Sequence, residues 1–476
     1  MVFSTPIFIF GFLPAFLAIY YLAPKRWRTF VIVAASCGFY GWWKAGYLLL
    51  VLVIAAATYL AGNMAFAAPT AALRRNWVRL GLAINLLVLG WFKYSYFLTD
   101  TYDDVATRLG YPATASLTLP EIVLPIGLSF LVFQSISYII DVARGDAPPA
   151  RKIMDFLAFS TLFPQLIAGP ILRYKDLADQ IIEREHSIRL FTLGAKRFVT
   201  GLAMKLLIAD SVAPLADRVF ALPSPTLAEA WIGALAYAIQ LFFDFAGYSA
   251  MAIGLGLMIG FRFAENFNAP YVSQSITEFW RRWHISLSNW LRDYLYVPLG
   301  GNRNGQLATY RNLVLTMALG GLWHGANFTF LLWGLWHGGW MAIERALGSK
   351  HRKTVWPRSV AWFFTMILVL IGWVMFRAES VSQAFVLYAG MIGAHGVAMS
   401  PEVALLTRPS ELVFLALGCV LSIGPLTLVA ARSGGRARAP RILAGAVAAV
   451  SPVVLFLLCT FALHARGESP FLYFQF

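Results

Sequence analysis

Long apolar runs, broken by short polar and basic turns, recur along the whole chain. A helix needs roughly 20 apolar residues to cross the hydrocarbon core of a bilayer. The runs predict spans at 6–23, 29–43, 47–66, 78–98, 122–143, 188–209, 228–260, 312–345, 359–377, 411–431 and 442–464. Three stretches depart from the simple pattern. The stretch 154–171 contains Pro164, Gly169 and Pro170, which predicts a broken or re-entrant element. The run 228–260 is too long for one crossing. The glycines of 312–345 predict two short helices that meet inside the protein. One long polar stretch, 262–311, mixes aromatic and basic residues and predicts short helices at the membrane interface. There Trp280, His284 and Ser288 share one helical face by their i, i+4, i+8 spacing. The expected fold is an all-α polytopic integral membrane protein. It is read as a single transmembrane domain over 1–476, with a motif-bearing core near 122–345.

Composition sharpens this reading. Of the 476 residues 59% are hydrophobic and 13% charged, and the mean hydropathy is +0.67. A soluble globular protein does not have this balance. The sixteen Trp and nineteen Tyr suit interfacial belts, although several Trp cluster near histidines instead. The net charge of +15 is expected to serve membrane topology and anionic lipid headgroups, with no nucleic acid as partner, because the basic residues sit in short loops. Cys37, Cys419 and Cys459 lie in apolar segments without CxxC spacing, which favours neither a disulfide framework nor a metal site. The first apolar run lacks a basic leader and ends at Lys25, Arg26 and Arg28, so a retained first helix is expected.

Loop charge gives an orientation. Arg74, Arg75 and Arg79 mark one cytoplasmic loop, and Arg144, Arg151 and Lys152 a second. Lys350, Arg352, Lys353 and Arg358 mark a third, and Arg432, Arg436, Arg438 and Arg441 a fourth. Asp100, Asp103, Asp104 and Glu121 place the loop 99–121 outside. The N-terminus then lies outside, and Arg281, Arg282 and His284 fall toward the cytoplasmic face.

An ionisable side chain inside a membrane protein is costly to keep, which makes it a functional candidate. His324 stands in Leu319-Gly-Gly-Leu-Trp-His-Gly-Ala-Asn327, with apolar sequence on both sides. Gly321 with Gly325, and Gly334 with Gly338, have the small-xxx-small spacing of touching helices. A buried neutral imidazole suits general-base work on a hydroxyl. A histidine bonded to a neighbouring helix for packing is the alternative. His284 stands in Glu278-Phe-Trp-Arg-Arg-Trp-His-Ile-Ser-Leu-Ser-Asn-Trp290. Arg281 and Arg282, with Trp283, could bind a phosphate-bearing donor or an acidic carrier. A snorkelling interfacial belt would read the same way. Asp244 lies in an apolar run and needs a partner, either a histidine that it orients or an arginine such as Arg282. Glu265, Asn266 and Asn268 follow and are candidates to line the same cavity. Asn327 or Trp323 is a candidate to stabilise an oxyanion. His337, with Trp333, Trp336 and Trp340, reads as a packed or interfacial residue. No metal site, P-loop, GxGxxG or GxSxG element stands out.

Several of these segments are similar to the motifs of the membrane-bound O-acyltransferase family. They are Leu124-Pro-Ile-Gly-Leu-Ser-Phe-Leu-Val-Phe-Gln134 with Asp141, Phe163-Pro-Gln-Leu-Ile-Ala-Gly-Pro-Ile171, Phe242-Phe-Asp-Phe-Ala-Gly-Tyr-Ser249 and Asn266-Phe-Asn-Ala-Pro-Tyr271. Phe279-Trp-Arg-Arg-Trp-His-Ile-Ser-Leu287, Tyr296-Val-Pro-Leu-Gly-Gly-Asn302, Gly321-Leu-Trp-His-Gly-Ala326 and Ser469-Pro-Phe-Leu-Tyr-Phe-Gln-Phe476 continue the series. The chain resembles the bacterial branch that O-acetylates alginate. The resemblance implies a ring of about eleven or more transmembrane helices with re-entrant segments and a central tunnel, in a bacterial inner (cytoplasmic) membrane. It places the family's invariant histidine at His324 and its second at His284. It implies no bound cofactor, with acetyl-CoA or an acyl carrier thioester as the cytosolic donor. A hydroxyl acceptor on the outer side, and a periplasmic acetyltransferase partner acting on polysaccharide, complete what it implies. Two other readings stay open: a transporter or flippase whose histidines relay protons, and a non-catalytic scaffold of an acetylation complex.

Overall fold

The computed structural model describes residues 2–111, 122–166, 169–348, 357–423 and 441–466. Among them there is no strand. Five helices are long and apolar enough to cross a membrane: Ala45–Ala67, Ala71–Arg108, Ile188–Phe220, Leu227–Met258 and Arg358–Arg377. Ile7–Leu22, Val381–Met391, Pro409–Ile423 and Val450–Ala465 are shorter apolar helices. Glu121, Lys350, Arg352, Lys353, Arg432, Arg436, Arg438, the later part of the 411–431 span and the closing 469–476 lie outside the described residues.

The chain divides into two compact units. One comprises residues 7–188 and 259–262; the other comprises 2–6, 189–258 and 263–476. The first contains α1 (Ile7–Leu22), α2 (Arg28–Gly41), α3 (Ala45–Ala67), α4 (Ala71–Arg108) and α5 (Leu128–Arg144). It also contains α6 (Ile153–Ser160), α7 (Phe163–Leu166) and α8 (Tyr174–Ile182). The predicted break in 154–171 is the gap between α6 and α7. The predicted 122–143 span begins only at Leu128. Gly127 precedes it at φ +75°, where a Cβ would collide with the Leu166 carbonyl oxygen. That contact ties the Leu124–Gln134 motif to the Phe163–Ile171 motif. Asp141, fully buried on α5, accepts from the Lys175 amide at 3.3 Å and lies 3.8 Å from the Lys175 ammonium.

The second unit contains α9 (Ile188–Phe220) and α10 (Leu227–Met258), then two short helices, α11 (Ile276–Arg282) and α12 (Ile285–Leu291). α13 (Gly305–His324) and α14 (Phe328–Ala346) follow. α15 (Arg358–Arg377), α16 (Val381–Met391), α17 (Pro401–Leu406), α18 (Pro409–Ile423) and α19 (Arg441–Arg466) close the chain. α9 is wound into a π turn over Met204–Ala209. α10 is one unbroken helix of 32 residues, about 48 Å at 1.5 Å per residue, although its length predicts more than one crossing. It stays whole because it is buried on nearly every side, with 89% of its apolar window inside the protein, and no proline interrupts it.

The glycine-rich segment 312–345 is a helical hairpin, α13 and α14, turned at Gly325–Ala326–Asn327. A Cβ at Gly334 would collide with the Met317 carbonyl oxygen, and one at Gly321 with that of Phe330. One at Gly338 would come within 2.8 Å of the Val314 Cα. The backbones touch, as small-xxx-small spacing requires.

Gly334→Val should therefore cost most of the folded protein, measured by size-exclusion chromatography in detergent. Gly339→Ala, where a Cβ meets nothing within 4 Å, should elute as wild type.

Candidate active site

The polar stretch folds as predicted into short helices, but not as one continuous face. α11 is capped by Ser275, whose hydroxyl accepts from the Glu278 amide at 3.0 Å. The Glu344 carboxylate adds a second cap, accepting from the amides of Ile276 at 2.5 Å and Thr277 at 2.9 Å. The helix then breaks: Trp283 is extended and His284 adopts φ 44°, ψ 53°, a left-handed conformation uncommon outside glycine. Trp280, His284 and Ser288 thus do not share a helical face. Such a residue costs roughly 1–2 kcal/mol. It is held by backbone bonds on both sides: Ile285 N–H to Asn266 O and Asn268 N–H to Arg282 O, each 2.9 Å.

The reversal turns the His284 ring into the protein, where it is fully buried. Phe245 of α10 meets it edge-on at 4.7 Å between ring centres. His324 ends α13, at 6% exposure. Its ring is packed edge-on by Trp333 at 5.2 Å and Phe376 at 5.3 Å. The centres of the His284 and His324 rings are 6.4 Å apart. Hydrogen-bonded imidazoles sit closer than this, so the two rings share no direct bond. His284 lies between two short helices, outside the apolar spans, and burial pushes its pKa down to about 3. It is a neutral imidazole at neutral pH.

Other candidates take distinct places. Trp283 is buried against Trp373 at 4.8 Å, Phe267 at 5.1 Å and Phe279 at 5.6 Å, forming the wall behind His284. Trp323 packs on the His324 ring at 5.0 Å. Asn327 caps α14, accepting from the Thr329 amide at 3.0 Å, and donates to the Glu379 carbonyl at 2.9 Å. Both ends of its amide are therefore engaged in holding the hairpin. Arg281 is exposed, while Arg282 binds Glu278 and the Asn268 carbonyl at 2.9 and 3.1 Å. Asn268 is exposed and joins the site through its backbone. His337 is fully buried among Phe279, Trp280, Trp333 and Trp373.

Asp244 is paired with a lysine. Its carboxylate lies 2.8 Å from the Lys205 ammonium, which also lies 2.6 Å from Asp210. Lys205 sits in the π turn of α9, and both it and Asp244 are 2% exposed. α10 thus presents Asp244 to the ion cluster and the adjacent Phe245 to His284. Sequence reading missed Lys205, whose only signal was a lone cation in an apolar run. Among the described residues, no group of three or more His, Cys, Asp and Glu is placed to hold a metal ion.

A buried imidazole pair in an apolar enclosure is suited to moving a proton off a hydroxyl. Residues 149–382 match the membrane-bound O-acyltransferase family. The chain is 48% identical over 504 residues to the probable alginate O-acetylase AlgI of Azotobacter vinelandii, covering 100% of both chains. It is 52% identical over 392 residues to the protein of that name from Pseudomonas aeruginosa, covering 82% of this chain and 75% of the relative. It is 35% identical over 438 residues to the peptidoglycan O-acetyltransferase of Helicobacter pylori, covering 84% and 81%. The chain belongs to the membrane-bound O-acyltransferase family, in its alginate O-acetylation type. It is a multi-pass membrane protein and an acyltransferase.

Replacing Lys205 with methionine strips two carboxylates of their shared cation. Breaking a buried ion pair costs about 3–5 kcal/mol, so Lys205→Met should lower the melting temperature in detergent far more than Arg281→Met.

Proposed function

We propose that the protein transfers an acetyl group from a cytosolic thioester, acetyl-CoA or an acyl carrier, to a hydroxyl acceptor on the outer side of a bacterial inner membrane. The observation that carries this is the convergence of two buried imidazoles within a family whose relatives here are named as O-acetylases and O-acetyltransferases. In this reading the hydroxyl oxygen attacks the thioester carbonyl while an imidazole of the pair takes its proton. The tetrahedral intermediate then expels the thiolate, which recovers the proton, leaving an ester and a free thiol. Thioester-to-ester exchange is nearly balanced in energy and needs no nucleotide at this step. The pair reaches donor and acceptor through a tunnel within about eleven crossings, with Arg281 and Arg282 on the donor side. A periplasmic acetyltransferase carries the group onward to an exopolysaccharide, which is alginate-like in keeping with the probable alginate O-acetylases that resemble most of this chain. Expulsion of water by the surrounding aromatic rings supports transfer over hydrolysis.

His324→Ala should abolish O-acetylation of the surface polysaccharide, read by mass spectrometry in a deletion strain complemented with the variant, at unchanged membrane abundance. Acetylation at the wild-type level would sink the assignment.

A further inference from the structure

A groove of about 470 Å³ lies between α10, α15 and α18. It follows α15 from Trp362 to Leu370, about 12 Å at 1.5 Å per residue. Leu235 of α10 and Met366 of α15 line opposite walls. The N–H and O–H groups of the lining side chains are all bonded within the protein. Trp231 Nε1 donates to the Met391 carbonyl at 3.0 Å, and Trp362 Nε1 to that of Tyr271 at 2.8 Å. The Tyr271 hydroxyl donates to the Ala238 carbonyl at 2.7 Å, and the Ser422 hydroxyl to that of Cys419 at 2.9 Å. Water enters a space only where polar groups hold it. This groove is therefore suited to hydrocarbon.

The groove is continuous with the surface that faces lipid. Phe363 and Ile423 line it and are exposed, and Phe364 and Val420 carry exposed hydrocarbon beyond them. α15 is long and apolar enough to cross the membrane, so acyl chains are the medium against it. One end of the groove also carries charge. Arg358 opens α15, is exposed, and stands one turn before Trp362 on the same face. A guanidinium at the end of a hydrocarbon slot matches a phosphate ester above an acyl chain.

We propose that the groove binds a bilayer phospholipid, whose acyl chain fills the space beside Tyr271 and whose phosphate pairs with Arg358. The lipid is a structural ligand and takes no part in a reaction, so this inference stands apart from the acyl-transfer reading. Tyr271 stacks on Trp283 at 6.1 Å and on Phe279 at 6.4 Å, and Trp283 is the wall behind His284. Hydrocarbon in the groove thus supplies packing for Tyr271 that no helix of the chain gives on that side, and it braces the wall from behind.

The test uses the full-length protein reconstituted with phosphatidylglycerol whose acyl chains carry bromine, which quenches indole fluorescence on contact. The protein is then passed into excess unbrominated phosphatidylcholine. The wild type should keep part of its quenching, and Trp362→Phe should lose some of what is kept. Native mass spectrometry should find a single phosphatidylglycerol on the protein. Leu235→Phe with Met366→Phe fills the groove from two walls and should abolish both signals. Stripping lipid in detergent should lower the melting temperature of the wild type more than that of this filled variant. Arg358→Gln should weaken retention about fivefold and remove the preference for phosphatidylglycerol over phosphatidylcholine. If the filled variant does not fold, Arg358→Gln decides, because that side chain is exposed. Quenching that vanishes from the wild type at the rate of bulk lipid exchange would overturn the site. So would retention in Arg358→Gln equal to the wild type, or a free fatty acid held in place of the phospholipid.

Discussion

The site depends on a short piece of backbone pairing. Residues 266–268 run beside 282–285 and exchange two hydrogen bonds, Ile285 N–H to Asn266 O and Asn268 N–H to Arg282 O. Asn266 is buried, so the bond that its carbonyl accepts meets little competition from water and is worth more than its modest net value in a wet loop. The pairing stops α11, forces the left-handed residue and starts α12 in a new direction. Without it, the stretch from Ile276 to Leu291 would continue as one helix. His284 would then follow Trp280 along a single face instead of turning inward.

A second constraint acts from the opposite side. His324 can approach only because α13 and α14 lie backbone against backbone, with glycines where side chains would intervene. α10 supplies the third wall through Phe245, and α15 the fourth through Phe376. The two histidines thus belong to separate structural devices, a broken loop and a tight hairpin. Each is stabilised on its own account, and their meeting follows from packing.

Much of this was legible in the sequence, and the limits were physical. Hydropathy reports which segments are buried in lipid or protein, so the positions of most helices, the broken 154–171 stretch and the 312–345 hairpin could be read directly. Each histidine stood out singly, because polarity is conspicuous in an apolar run. Their proximity did not, since forty residues of loop and helix intervene. The break at His284 escaped notice because histidine is a far weaker local signal for a left-handed backbone than glycine. Asp244 plainly needed a partner, but Lys205 reaches it from another helix through a π turn, and hydrophobic periodicity does not reveal π turns. Asn266 and Asn268 look equivalent in sequence; only the pairing shows that one side chain points to the imidazole while the other stays at the surface.

The aromatic rings around the imidazole pair also choose between nucleophiles. Water is small and mobile and is normally present at vast excess over any other hydroxyl. It enters a space only where several polar groups can hold it. Phe245, Trp333 and Phe376 surround the two imidazoles with hydrocarbon. A hydroxyl delivered on a larger molecule brings its own binding energy and needs no such welcome. In an acyltransferase, an enclosure of this kind disfavours loss of the acyl group to water.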